Sequence, residues 1–293
     1  MAKSHGLLEA VREGDSLKVG RLLNEGADAN VKDKDDYTAL HWATQEGFTQ
    51  ICRLLVERGA NVNAFDKEGF TPLEIAASRG HTQIFKLLLR HRASPHVSRR
   101  GFTPLHACAA SGNKQIAVLL ISSGLDVNSK DEDGQGRPPL HWAAQEGNID
   151  VVKLLIKHGG RIDETDINGF TALHIAASEG HYELAKLLIK CGADVNAVDG
   201  TEGTPLHSAC AWNRKTVAQL LISCGADIDA IDNEGCSPIF YTVMYGYPEL
   251  LAFLLRRKAN IAIKNLGGET VKAIARKTRQ KNITEILNAH FDV

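Results

Sequence analysis

Long apolar runs are missing from this sequence. No stretch of its 293 residues approaches the roughly 18 consecutive apolar residues of a membrane-spanning helix, and the opening Met1-Ala-Lys-Ser-His-Gly-Leu-Leu-Glu9 has no signal-peptide core. A protein without a membrane span, acting inside the cell in cytoplasm or nucleus, is therefore expected. The six cysteines (Cys52, Cys108, Cys191, Cys210, Cys224, Cys236) never form a Cys-x-x-Cys pair, which excludes the usual zinc and dithiol spacings and leaves free thiols as the expectation. Excess charge is missing as well: 34 Lys and Arg face 35 Asp and Glu, a net −1. Such a chain exerts no long-range pull on nucleic acid, which is not expected as a partner. The average hides an asymmetry, because nine basic residues against three acidic ones from Arg256 onward give +6 there and leave about −7 for the rest. Finally, there is no Gly-x-x-x-x-Gly-Lys phosphate loop, no Gly-x-Ser-x-Gly elbow and no paired-His zinc helix. No catalytic residue, metal or cofactor is expected.

What the sequence does have is self-similarity at a fixed period. Thr38-Ala-Leu-His41 recurs as Thr71-Pro-Leu-Glu74, Thr103-Pro-Leu-His106, Pro138-Pro-Leu-His141, Thr171-Ala-Leu-His174, Thr204-Pro-Leu-His207, Ser237-Pro-Ile-Phe240 and, degraded, Thr270-Val-Lys-Ala273. The steps are 33, 32, 35, 33, 33, 33 and 33 residues, and one step back from Thr38 falls on His5, which makes nine units. In the unit from Thr171, the threonine hydroxyl is placed to cap a short helix, Leu173 and Ala176 share one face, and Gly180 ends it. A second helix follows with Leu184, Leu187 and Leu188 inward, and Gly192 stops it before an extended finger rich in Asp, Asn and Gly. Helices of about two turns cannot bury their apolar faces alone, so neighbouring units must stack.

The residues Thr171-Ala-Leu-His174, Gly180-His181, Leu187-Leu188 and Gly192-Ala-Asp-Val-Asn196 closely resemble the ankyrin repeat, and the likeness spans practically the whole chain. The expected fold is an all-α solenoid of stacked helix-turn-helix units with β-hairpin or finger loops. A single domain over 1–293 is expected, with a polar N-terminal cap repeat at 4–31, internal repeats over 32–265 and a basic C-terminal cap repeat at 266–291. One motif histidine per unit, about 8–10 Å apart, cannot converge on a metal, so His41, His106, His141, His174 and His207 are read as bonding the backbone of the adjacent unit. The same spacing keeps Cys191 and Cys224 unpaired. Trp42 and Trp142, just after the motif histidine, are read as core, and the near-identical segments around them as a duplication.

The resemblance implies a non-catalytic scaffold or adaptor, expected as a monomer, that holds a protein or peptide in the groove between fingers and first helices. Carried onto this chain, the groove positions include Tyr37, Phe70, Phe102 and Phe170 before the motif threonine, with Trp212 and Tyr245 at the end of the first helix. Aromatics of this kind dominate interface energetics. The acidic finger tips are read as turn formers. Arg99 and Arg100 break that pattern and mark a candidate anion-recognising tip, while the two-residue insertion within Gly134-Gln-Gly-Arg137 lengthens another finger. The resemblance also makes Asn30, Asn63, Asn128 and Asn196 candidates for asparaginyl hydroxylation.

Overall fold

Most repeats start where a threonine stops the backbone from going helical too early. Thr38 Oγ1 accepts the His41 backbone N–H at 3.2 Å, and the His41 ring returns the favour, its Nδ1 accepting the Thr38 N–H at 3.1 Å. An Nδ1 that accepts leaves the ring proton on Nε2, which donates it to the Phe70 carbonyl of the next finger at 3.2 Å. The same box recurs in the repeats of His106, His174 and His207, whose Nε2 atoms reach Ser129, Gly203 and Cys236 carbonyls at 3.0, 3.1 and 3.1 Å. Burial holds His41, His174 and His207 below the ordinary imidazole pKa and pushes His106 down to about 4, so the rings are neutral. At Pro138 there is neither hydroxyl nor N–H to offer, and the buried Nδ1 of His141 has no hydrogen bond.

The computed structural model describes residues 2–96, 101–132 and 135–291, with the chain divided into two compact units, Met1–Gly160 and Arg161–Val293. The first holds five helix pairs: α1 (Ala2–Arg12) and α2 (Ser16–Asn24), α3 (Ala39–Gln45) and α4 (Thr49–Glu57), α5 (Pro72–Arg79) and α6 (Thr82–Arg90), α7 (Pro104–Ser111) and α8 (Lys114–Ser122), α9 (Pro139–Gln145) and α10 (Ile149–Lys157). The second holds four: α11 (Ala172–Glu179) and α12 (Tyr182–Lys190), α13 (Pro205–Ala211) and α14 (Lys215–Ser223), α15 (Pro238–Met244) and α16 (Pro248–Arg256), α17 (Val271–Lys277) and α18 (Lys281–Phe291).

Within each unit the first helices stack on one another through alanines such as Ala43, Ala76, Ala109 and Ala143, which are fully buried and small enough for close approach. Leucines and isoleucines of the second helices, including Ile51, Leu55, Ile84, Leu88, Ile116 and Leu120, close the core behind them. A polar side chain just before six of the second helices staples this stack. His81 reaches the Gln45 carbonyl, Asn113 that of Ala77 and Asn148 that of Ala109 in the first unit; Arg214, Tyr247 and Gln280 do the same to Ser178, Ala211 and Met244 in the second.

The fingers are turns rather than hairpins. Among the described residues the only ladder contact is an isolated bridge between Lys32 and Thr38. Most described fingers are tied by an aspartate whose Oδ1 accepts backbone N–H groups ahead of it, as Asp66 does from Gly69 and Phe70, both at 2.8 Å, and Asn265 takes that place in the last finger. Neighbouring fingers touch backbone to backbone: Gly200 N–H donates to the Asn168 carbonyl at 2.7 Å, and a Cβ on Gly169, whose φ is +81°, would collide with Gly200 N.

Candidate functional site

The first helices and fingers of unit 2–160 carry a row of aromatic side chains. Tyr37 meets Trp42 edge-on at 5.1 Å, Phe70 meets Phe102 at 6.1 Å and Phe102 meets Trp142 at 5.3 Å between ring centroids. All five are half-buried. The two tryptophans are not the plain core residues expected from sequence. Each donates its indole N–H to a finger aspartate, Trp42 to Asp33 at 2.9 Å and Trp142 to Asp131 at 2.7 Å, and so stands upright on the inner surface. An arginine lies over each ring, Arg12 at 4.4 Å and Arg137 at 6.0 Å. The duplicated Leu-His-Trp-Ala segment thus builds the same constellation twice. It includes a bond to glutamine: Tyr37 donates to Gln45 at 3.0 Å, and Arg137, the last residue of the inserted finger, donates to Gln145 at 2.8 Å.

Between the two constellations the tryptophan position is filled by Ile75 and Ala107, and the missing bulk leaves a cavity of about 230 Å³. Phe70 and Phe102 wall it, Ile75, Ala107 and Ala110 floor it, and Gln45, Glu74, Ser78 and Arg79 supply its polar groups. Glu74 replaces the motif histidine here, a substitution visible in the sequence whose consequence is not. Its Oε2 accepts both the Thr71 N–H at 2.6 Å and the Thr71 hydroxyl at 2.7 Å. Burial, only partly offset by those bonds, pushes the carboxyl up to about 7.

In unit 161–291 the aromatics stand differently. Phe170 packs edge-on against His174 at 5.7 Å, while Trp212 and Tyr245 are 63% and 57% exposed. Tyr245 is flanked by Tyr241 and Tyr247 at 6.3 and 6.1 Å, two rings that sequence reasoning missed. Tyr241 occupies the Trp42 position of its repeat and likewise donates to its finger aspartate, Asp232, the shared position being the signal that could have found it.

The tip residues Arg99 and Arg100, with Gly134 of the inserted finger, lie outside the described residues. The candidate asparagines hold successive repeats together: the side-chain amides of Asn30, Asn128 and Asn196 donate to the Gly59, Gly159 and Gly225 carbonyls, and Asn63 Oδ1 accepts the Ser94 N–H. All six cysteines are free, with Cys191 and Cys224 exposed. Among the described residues no group of three or more His, Cys, Asp or Glu could hold a metal ion, and no helix is long and apolar enough to cross a membrane.

Stacked helix pairs with histidine boxes, stapled turns and aspartate-tied fingers define a repeat protein whose distinctive side chains lie on its first helices and fingers. Family models describe the same units: ankyrin repeats (3 copies) match residues 7–98, 75–131 and 105–199, ankyrin repeats (many copies) match 177–222, and a single ankyrin repeat matches 234–266. The chain belongs to the ankyrin-repeat family. Among solved structures it is similar to the crystal structure of the human ASB11 ankyrin repeat domain, with a TM-score of 0.67 and 25% identity over 75% of this chain and 98% of that one. No curated protein matches it. Ankyrin repeats are in general protein–protein interaction modules.

Proposed function

We propose that this protein is a non-catalytic scaffold or adaptor that binds a protein partner on the inner surface formed by its fingers and first helices, with the Phe70–Phe102 cavity as the principal anchor site. The observation that supports this most is the cavity itself. At about 230 Å³ it lies below the roughly 300–1,000 Å³ typical of small-molecule pockets and suits one inserted side chain. Two aromatic walls favour an apolar or aromatic anchor, and Gln45, Ser78 and Arg79 at the same place offer hydrogen bonds to the partner's backbone. The exposed Trp212 and Tyr245 are proposed as secondary contacts. The reading has the protein acting inside the cell as a monomer, where unpaired thiols persist.

Substituting Ala107→Trp tests this, because two sister repeats already carry tryptophan at that position and the fold accepts it. Partners captured from cell extract by the wild-type protein and identified by mass spectrometry are expected to be lost with Ala107→Trp while circular dichroism is unchanged. Retention of every partner by the filled variant would refute the anchor site.

A further inference from the structure

The second helices of unit 2–160 show a charge pattern that the inner surface does not explain. At their second position three of the five later second helices carry acids, Asp150 on α10, Glu183 on α12 and Glu249 on α16, while α14 has Thr216 and α18 has Asn282. Two of these meet a lysine from the preceding repeat, Lys114 with Asp150 at 3.8 Å and Lys215 with Glu249 at 2.9 Å. On α4, α6 and α8 the same position is Gln50, Gln83 and Gln115. The counter-charge is absent, yet the cations are present: Arg53 and Lys86 at the fifth position, and Arg90 at the end of α6. Among the described residues none of these three pairs with a carboxylate. Glu57 is the single acid of the three helices and does not line the surface between them.

Arg53, Lys86 and Arg90 instead line one shallow pocket of about 490 Å³, with Thr49, Thr82, Leu87 and the amides of Gln83 and Gln115 completing it. Three uncompensated cations and two amide donors around one concavity fit a compact dianion with several acceptor oxygens better than a single carboxylate, which one arginine satisfies. The donors are side chains on three successive repeats, so the anion must protrude from its carrier to be reached by all of them. We propose that the outer pocket between α4, α6 and α8 binds a phosphorylated serine or threonine of a protein partner, independently of the inner cavity.

The test uses the full chain, immobilised and exposed to degenerate peptide libraries centred on phosphoserine or phosphothreonine, on the unmodified residue, or on glutamate. Wild type is expected to retain the phosphorylated library at least tenfold more than the other two, and to release it as salt is raised. The variant Arg53→Gln/Lys86→Gln/Arg90→Gln, changed only at exposed positions, is expected to lose that preference at least tenfold, whereas Ala107→Trp keeps it. Equal retention of phosphorylated and unmodified libraries, equal retention of the glutamate library, or an undiminished preference in the triple variant would each overturn the proposal. So would tighter binding of a random RNA oligonucleotide than of the phosphorylated library.

Discussion

The two units differ in how firmly their aromatic residues are held. In 2–160 the rings are fixed in place: Trp42 and Trp142 are bonded to aspartates, Tyr37 to glutamine, and Phe70 and Phe102 meet edge to face. In 161–291 Trp212 and Tyr245 stand out from the surface, mostly exposed. The difference teaches that position decides whether a ring is held: the residue after the motif histidine position reaches the finger aspartate, as Trp42, Trp142 and Tyr241 do, whereas Trp212 and Tyr245, closing their first helices, remain mostly exposed. A preformed wall loses little conformational entropy on binding, which is why we place the proposed anchor site in the first unit.

The largest expected effect separating the units concerns Glu74, which has no counterpart among the motif histidines of 161–291. Its folded pKa of about 7 lies above the ordinary 4.5, so its contribution to stability is full below pH 4.5 and lost as pH rises through about 7. Glu74→Gln keeps an acceptor for the Thr71 N–H without the buried charge. It is expected to match wild type near pH 4 and to exceed it by on the order of 3 kcal/mol at pH 8, in urea denaturation followed across pH. The histidines run the other way. With folded pKa values lowered, to about 4 for His106, their contribution is full above about 6.5 and declines as pH falls toward 4.

Next in size is the pair Trp142→Ala and Tyr245→Ala. Removing the bonded, half-buried indole is expected to cost about 2 kcal/mol and to strand the Asp131 carboxylate, whereas removing the exposed phenol costs at most about 0.5 kcal/mol. Equal denaturation midpoints for the two variants would break the comparison. Caps supply the smallest contrast: Thr171→Ala is expected to destabilise by about 1 kcal/mol, and Pro138→Thr, which restores the hydroxyl and N–H that His141 lacks, to stabilise by a similar amount.

The helix pairs, their boundaries and the histidine bridges were legible in sequence because they rest on short-range chemistry, a hydroxyl three residues before an imidazole and a glycine after the last turn. The finger aspartates were legible as turn formers for the same reason. The cavity was not. It arises from Ile75 and Ala107 standing where Trp42 and Trp142 stand in the flanking repeats, a vacancy that only the stack makes meaningful. Trp42 and Trp142 were misjudged because the carboxylate that holds each indole lies on its own finger, nine and eleven residues away, beyond the reach of any helical pattern.

The central claim is that a partner inserts a side chain between Phe70 and Phe102. It is tested most directly by placing a photo-reactive benzoylphenylalanine at Ser78, which lines the cavity, or at Lys153, exposed on α10, and irradiating each protein with its captured partner. The account predicts an adduct from position 78 and none from 153. Adducts from 153 alone, with position 78 silent, would contradict it.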